Sequence, residues 1–197
     1  MKVLDHGYIE LVESWGSDER IIEAARMSTG KGFNGWGQPH AENCLSRAAD
    51  KMPCDCGTAE KPGDERLLRY LYEHKHMTPF EMAGMVIEVK APIFVFREWH
   101  RHRTQSYNEM SARYIPLPDE NYIPSVERLM MQGGMNKQAQ SAGKVLTRED
   151  AKKFQDDLDL VYTLCEGLYQ RGIEYGVPKE LARLPVPVAR YSRTRAS

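Results

Sequence analysis

The densest chemistry in the chain lies between Arg101 and Tyr114. Within fourteen residues stand Arg101, Arg103, Arg113, His102, Glu109, Asn108, Ser106 and Ser111. No apolar period runs through the stretch, so it reads as a loop rather than a core element. Every Lys/Arg position between 97 and 113 is arginine. Guanidinium forks clamp phosphate or carboxylate in two-point contacts that an ammonium cannot copy. Serine hydroxyls and backbone N–H groups converge on the same kind of anion. Glu109 and Asn108 add acceptors and donors for a base or sugar. The combination suits a nucleotide.

Other chemistries fit less well. Ser111 with His102 could pair a nucleophile with a base, but no Gly-x-Ser-x-Gly elbow is present. His100 and His102 could ligate zinc, but Arg97, Arg101 and Arg103 set a field that opposes a dication. There is no Walker A loop and no Gly-x-Gly-x-x-Gly. His40, Cys44, Cys54 and Cys56 are too irregularly spaced for a zinc site, so no metal is expected.

Composition sets the outer bounds. A chain of 197 residues is long enough for one domain with a real core. A formal net charge of -1 gives no global field for nucleic acid. No apolar run reaches the length of a membrane span. The segment Met1–His6 lacks a signal-peptide core, so a cytoplasmic location is expected, with Cys44, Cys54, Cys56 and Cys165 as reduced thiols.

The elements that must hold the arginine loop follow from local pattern. Val3 to Val12 alternates as a first strand. Ser17 caps a helix over 18–27, with Asp18 and Glu19 in its first turn. Residues 31–63 read as an irregular insertion. A helix is expected over Asp64–His74, and a strand over Met85–Lys90. Pro92 opens a helix to about Trp99, which delivers the loop. Tyr114–Pro124 is extended, and Met130–Gly143 is expected to be mobile. Thr147-Arg148-Glu149-Asp150 is a capping box for the longest helix. Its apolar stripe is Ala151, Phe154, Leu158, Val161, Cys165 and Leu168, with Cys165 as a packing residue, and Gly172 is expected to end it. A short helix over Pro178–Leu184 precedes a strand-like run to Ser197, in which Arg190, Arg193 and Arg195 alternate. This order gives an α+β fold: a twisted, mainly antiparallel sheet with flanking helices, one long helix near 148–172.

The pattern Arg-His-Arg-x-x-Ser-x-Asn-Glu-x-Ser-x-Arg-Tyr, from Arg101 to Tyr114, resembles the signature of the flavin-dependent thymidylate synthases. All nine fixed positions are present. His76-x-Thr78-Pro79-Phe80-Glu81 resembles that family's His-x-Thr-Pro-Phe-Glu segment. Lys90-Ala91-Pro92-Ile93-Phe94-Val95, Ala25-Arg26-x-Ser28, and Ala182-Arg183 with Pro187 and Tyr191 resemble further family segments. Residues 31–63 and 130–146 fall outside the likeness.

The resemblance implies reductive methylation of dUMP to dTMP, with methylenetetrahydrofolate as carbon donor, NADPH as reductant and FAD as hydride carrier. It implies a homotetramer with sites between subunits. It also implies that the family continues past the position of Ser197, so that the chain is a single domain of this type over 1–197 without the C-terminal part. Carried over by position, Arg101, His102 and Arg103 contact flavin and folate-side anions. His76, Thr78 and Glu81 contact FAD, Ser28 its outer part, and Glu109 both cofactor and substrate. Glu109, Met110, Ser111 and Arg113 hold dUMP, the last two at its phosphate. Arg183 polarises the uracil edge, and with Ser111 is the catalytic candidate. Glu98 stands where many members have glutamine. It is expected to turn away or pair with an arginine, and lies outside the expected site. The competing reading is a non-catalytic module that binds a nucleotide or single-stranded nucleic acid through its arginines and Tyr107.

Overall fold

A computed structural model describes residues 1–37, 63–131 and 146–197. His40, Cys44, Cys54 and Cys56, most of the 31–63 insertion and most of the 130–143 stretch lie outside the described residues. The chain forms two compact units, one of Met1–Val12 with Val86–Ser197 and one of Glu13–Met85.

The larger unit is built on a sheet. Its strands are β1 (Lys2–Val3), β2 (Gly7–Trp15), β3 (Gly84–Pro92), β4 (Tyr107–Glu109) and β5 (Tyr191–Ala196), in the order β1-β2-β3-β5-β4. The pairs β1–β2, β3–β5 and β4–β5 are antiparallel. With the helices around it, the fold is α+β. The first expected strand is broken in two, since Leu4 takes a left-handed φ of 55° between β1 and β2. β3 and β5 sort their side chains by alternation. Val89 and Ala91 are buried on one face with Phe96, packed by Ile9, Ile87, Val95 and Trp99. Burying a side chain the size of Phe96, which is 1 % exposed, contributes about 2–3 kcal/mol.

Helix α3 (Ile93–Trp99) starts where β3 stops because Pro92 holds an extended ψ and serves as its N-cap. Two of its otherwise unpaired N–H groups find carbonyls outside the helix: Ile93 donates to Arg190 O at 2.9 Å and Phe94 to Val188 O at 2.9 Å. The loop that follows is not structureless. β4 lies inside it, with Glu109 opposite Thr194 on β5. Asn108 and Tyr107 continue that register to Arg195 and Ala196. Helix α4 (Val126–Met130), capped by Ser125, was not expected from the sequence.

Helix α5 (Arg148–Glu174) is the longest element. Thr147 caps it, accepting from Asp150 N at 3.1 Å and donating to the Asp150 carboxylate at 2.8 Å. The helix does not end at Gly172 but at Glu174, and the left-handed turn falls to Gly176 at φ 77°. Gly172 serves packing instead, because a Cβ there would meet Ala182 Cβ at 3.3 Å on helix α6 (Lys179–Ala182). The expected burial of the α5 stripe is also corrected. Ala151 is buried, but Phe154, Val161 and Leu168 are about half exposed, at 51 %, 50 % and 52 %.

In the smaller unit, α1 (Asp18–Arg26) is capped by Ser17, whose hydroxyl accepts from Arg20 N at 3.3 Å. Helix α2 (Glu65–Glu73) follows, and Lys75, at a left-handed φ of 59°, turns the chain into a 3-10 helix over Thr78–Met82. Arg26 of the Ala-Arg-x-Ser segment is committed to structure, since its guanidinium pairs with the buried carboxylate of Asp64.

Candidate functional site

The larger unit contains a cavity of about 570 Å³. Four of the expected site residues line it: Glu109, Met110, Ser111 and Arg183. Glu109 and Met110 come from β4 and its end, and Arg183 from the C-terminal end of α6. Sequence positions more than seventy residues apart therefore meet in one concavity.

Three polar residues of the lining were missed from the sequence: Arg97, His100 and Ser192. Ile93, Phe96, Arg97 and His100 are spaced three, four and seven residues along α3 and its cap, which places them on one helical face. That spacing was legible. His100 is fixed by two ring contacts, stacked on Phe96 at 6.3 Å and edge-on to Tyr107 at 4.8 Å.

Ser111 serves both the local turn and the cavity wall. Its oxygen accepts from Arg113 N at 3.3 Å, which caps a turn, and the residue also lines the cavity. Its O–H remains a donor for a ligand oxygen. Arg113 points elsewhere. It is not among the lining residues, and its Nε lies 3.8 Å from a Glu180 carboxylate oxygen in an exposed pair.

The turn at Arg101, His102 and Arg103 is exposed and does not line the cavity. Tyr107 braces it: the phenol oxygen lies 2.8 Å from His102 O and 2.7 Å from Gln105 Oε1, and Trp99 Nε1 donates to the same Gln105 oxygen at 2.7 Å. Arg101 pairs with Glu98 at 3.3 Å, so Glu98 is occupied by an arginine, one of the two outcomes expected for it.

The remaining expected residues belong to the smaller unit. Ser28, His76, Thr78 and Glu81 are all exposed. Ser28 Oγ donates to Ala25 O at 3.2 Å, and the 3-10 helix carries Thr78 and Glu81 together. The His76 ring stacks with Tyr70 at 6.0 Å. No group of carboxylates, thiols and imidazoles suited to a metal occurs among the described residues, and no described helix is long and apolar enough to cross a membrane.

A cavity lined by arginines, a carboxylate and hydroxyls can hold an anion at one end and read a polar ring or sugar at the other. Comparison with known proteins places the chain in a family. Residues 10–196 match the family described as thymidylate synthase complementing protein. The flavin-dependent thymidylate synthase of Wolbachia pipientis wMel is 38 % identical over 192 residues, covering 98 % of this chain and 58 % of that protein. The enzyme of the same name from Thermosipho melanesiensis is 36 % identical over 195 residues, covering 98 % of this chain and 71 % of its own length. The chain thus spans little more than half of several of its relatives. Among solved structures, a UMP/dUMP methylase PolB from Streptomyces cacaoi, bound with 5-Br UMP, superposes with a TM-score of 0.71 at 31 % identity. It is covered over 71 % of its length by 98 % of this chain. The same protein bound with 5-Br dUMP gives 0.70 at 30 % identity.

Proposed function

Since the chain belongs to the thymidylate synthase complementing protein family, we propose that it takes part in the reductive methylation of dUMP to dTMP, with methylenetetrahydrofolate as carbon donor and NADPH as reductant. The observation that carries this reading is the meeting of Glu109, Met110 and Ser111 with Arg183 around one cavity. In this reading Ser111 donates its O–H to the nucleotide phosphate, Arg113 leaves its exposed pair with Glu180 to add a guanidinium at the same end, and Met110 packs against the sugar. Glu109 accepts from the nucleotide, and Arg183 polarises the uracil edge. Orientation and polarisation of the ring are then the main contributions of the polypeptide.

The donor set of the Arg101–Arg103 turn, two exposed guanidiniums and an imidazole, fits the pyrophosphate of a dinucleotide. We assign Arg101, His102, Arg103 and Glu109 to holding FAD and the anions of the folate side; Ser28, His76, Thr78 and Glu81 of the smaller unit, taken by itself, are assigned to FAD contacts. Bound there, the flavin supplies hydride transfer.

Assembly as a homotetramer belongs to the same proposal. Support comes from α5, where Phe154, Val161, Leu164 and Leu168 are each at least half exposed at spacings of seven, three and four residues. An apolar stripe of this kind suits a helical partner. The test of function is direct: incubate the protein with FAD, NADPH, methylenetetrahydrofolate and dUMP, and follow dTMP by chromatography. dTMP that depends on all four supports the proposal. Nucleotide binding without dTMP, and without flavin uptake, favours a binding module.

A further inference from the structure

Ser192 stands on β5 at the wall of the cavity, and nothing in the family signature marks it. It is 1 % exposed, and its hydroxyl has no hydrogen-bond partner among the described residues. A buried hydroxyl left unpaired costs about 1–3 kcal/mol, and at a cavity wall an atom of a bound ligand can supply the missing partner. The register gives its direction. Glu109 is paired with Thr194, and Ser192, two residues earlier on the same strand, presents its side chain on the same face as Glu109. A second cavity of about 400 Å³ also touches Ser192, but Lys90 and Arg193, which line that one, sit on the opposite face of the ladder. The hydroxyl therefore belongs with Glu109, Ser111 and Arg183.

We propose that Ser192 Oγ is a hydrogen-bonding contact for a neutral polar atom of the bound nucleotide, at the sheet wall of the cavity. The inference rests on the nucleotide reading above. Of the charged groups of the lining, Arg97 is exposed and suits the anionic end, while Arg183 and Glu109 are already assigned to the uracil edge and to accepting from the nucleotide. A single buried hydroxyl suits a carbonyl, ring nitrogen or sugar hydroxyl instead. Thr194 supplies an internal control. It lies on the same face of the same strand, is equally buried and has an equally unpartnered hydroxyl, yet it is not part of the cavity lining.

The experiment is a calorimetric titration of dUMP into wild type, Ser192→Ala and Thr194→Ala, with melting temperatures of the unliganded proteins. The expected result is a loss of roughly three- to tenfold in dUMP affinity for Ser192→Ala alone, the effect of one neutral hydrogen bond. Its melting temperature should be unchanged or raised, because an unpaired buried group is removed. Equal affinities for wild type and Ser192→Ala overturn the inference and leave the nucleotide reading standing. Equal losses in both variants, or a marked fall in melting temperature for Ser192→Ala, overturn it as an effect on the strand. If the wild type itself takes up no dUMP, the proposed function fails and this contact fails with it.

Discussion

The guanidinium of Arg190 is fully buried, with Nη2 2.5 Å from a Glu166 carboxylate oxygen on α5. Its other terminal nitrogen reaches Asp119 at 3.1 Å and Pro118 O at 2.8 Å. One side chain thus ties the segment entering β5 to the long helix and to the extended stretch after the arginine loop. Breaking such a buried pair leaves a charge uncompensated. Arg190→Ala should lower unfolding free energy by about 3–5 kcal/mol in a denaturant titration. A change within about 0.5 kcal/mol would remove Arg190 from its structural role.

Gly16 follows β2 at a left-handed φ of 72°, and a Cβ there would lie 2.3 Å from Met82 O. The obstacle is backbone, which cannot rotate away. Gly16→Ala should cost about 2 kcal/mol or more, combining the left-handed penalty with the clash. Thermal melting of the variant measures it, and an unchanged midpoint would show that the turn relaxes without cost.

Glu88 on β3 accepts from Tyr8 OH at 2.7 Å and from Arg195 Nε at 3.0 Å. The Tyr8 hydroxyl first, and Arg195 second, hold its carboxyl below the usual range. Because the folded value is lowered, the stabilisation is fully present above the unfolded value, about 4.3, and is lost as pH falls through the folded one. Wild type should exceed Glu88→Gln by about 1 kcal/mol near neutral pH, with the gap closing in acid. A gap that is constant with pH would assign the effect to shape rather than charge.

The half-exposed stripe on α5 offers a test of assembly. Leu164, at 64 % exposure, contributes little to the fold of a single chain. Leu164→Glu should therefore leave the melting temperature of the isolated chain nearly unchanged while shifting the mass seen by light scattering from tetramer towards smaller species. A wild type that is monomeric at micromolar concentration would contradict the tetramer.

Much of this architecture is legible residue by residue. Ser17 and Thr147 announce their helices because capping is local, requiring only a side-chain oxygen and an N–H three residues on. Pro92 marks the start of α3 for an equally local reason. What the chain pattern hides is tertiary. Arg190, Arg193 and Arg195 look alike in sequence, yet the first is buried and the other two are exposed, because only Arg190 meets Glu166. β4 carries too few residues to show a period, and its pairing with β5 is set across more than eighty positions. Gly172 reads as a helix stop but is a point of close approach to Ala182. In the cavity the signature residues Glu109, Met110 and Ser111 were visible as a motif. Ser192 was not, since a lone serine on a strand carries no local signal.

In the proposed function the cavity holds a uridine nucleotide and Arg183 reads it. The most direct measurement is calorimetric titration of dUMP into wild type and Arg183→Ala, with melting temperature as the check on folding. Arg183 is exposed at the end of α6, so its removal should leave the fold intact. The account predicts saturable binding by wild type and a loss of about 1.5–3 kcal/mol in the variant, roughly ten- to a hundredfold, as a charge-assisted contact disappears. Equal dUMP affinity in the two proteins, or no binding by the wild type, would contradict it.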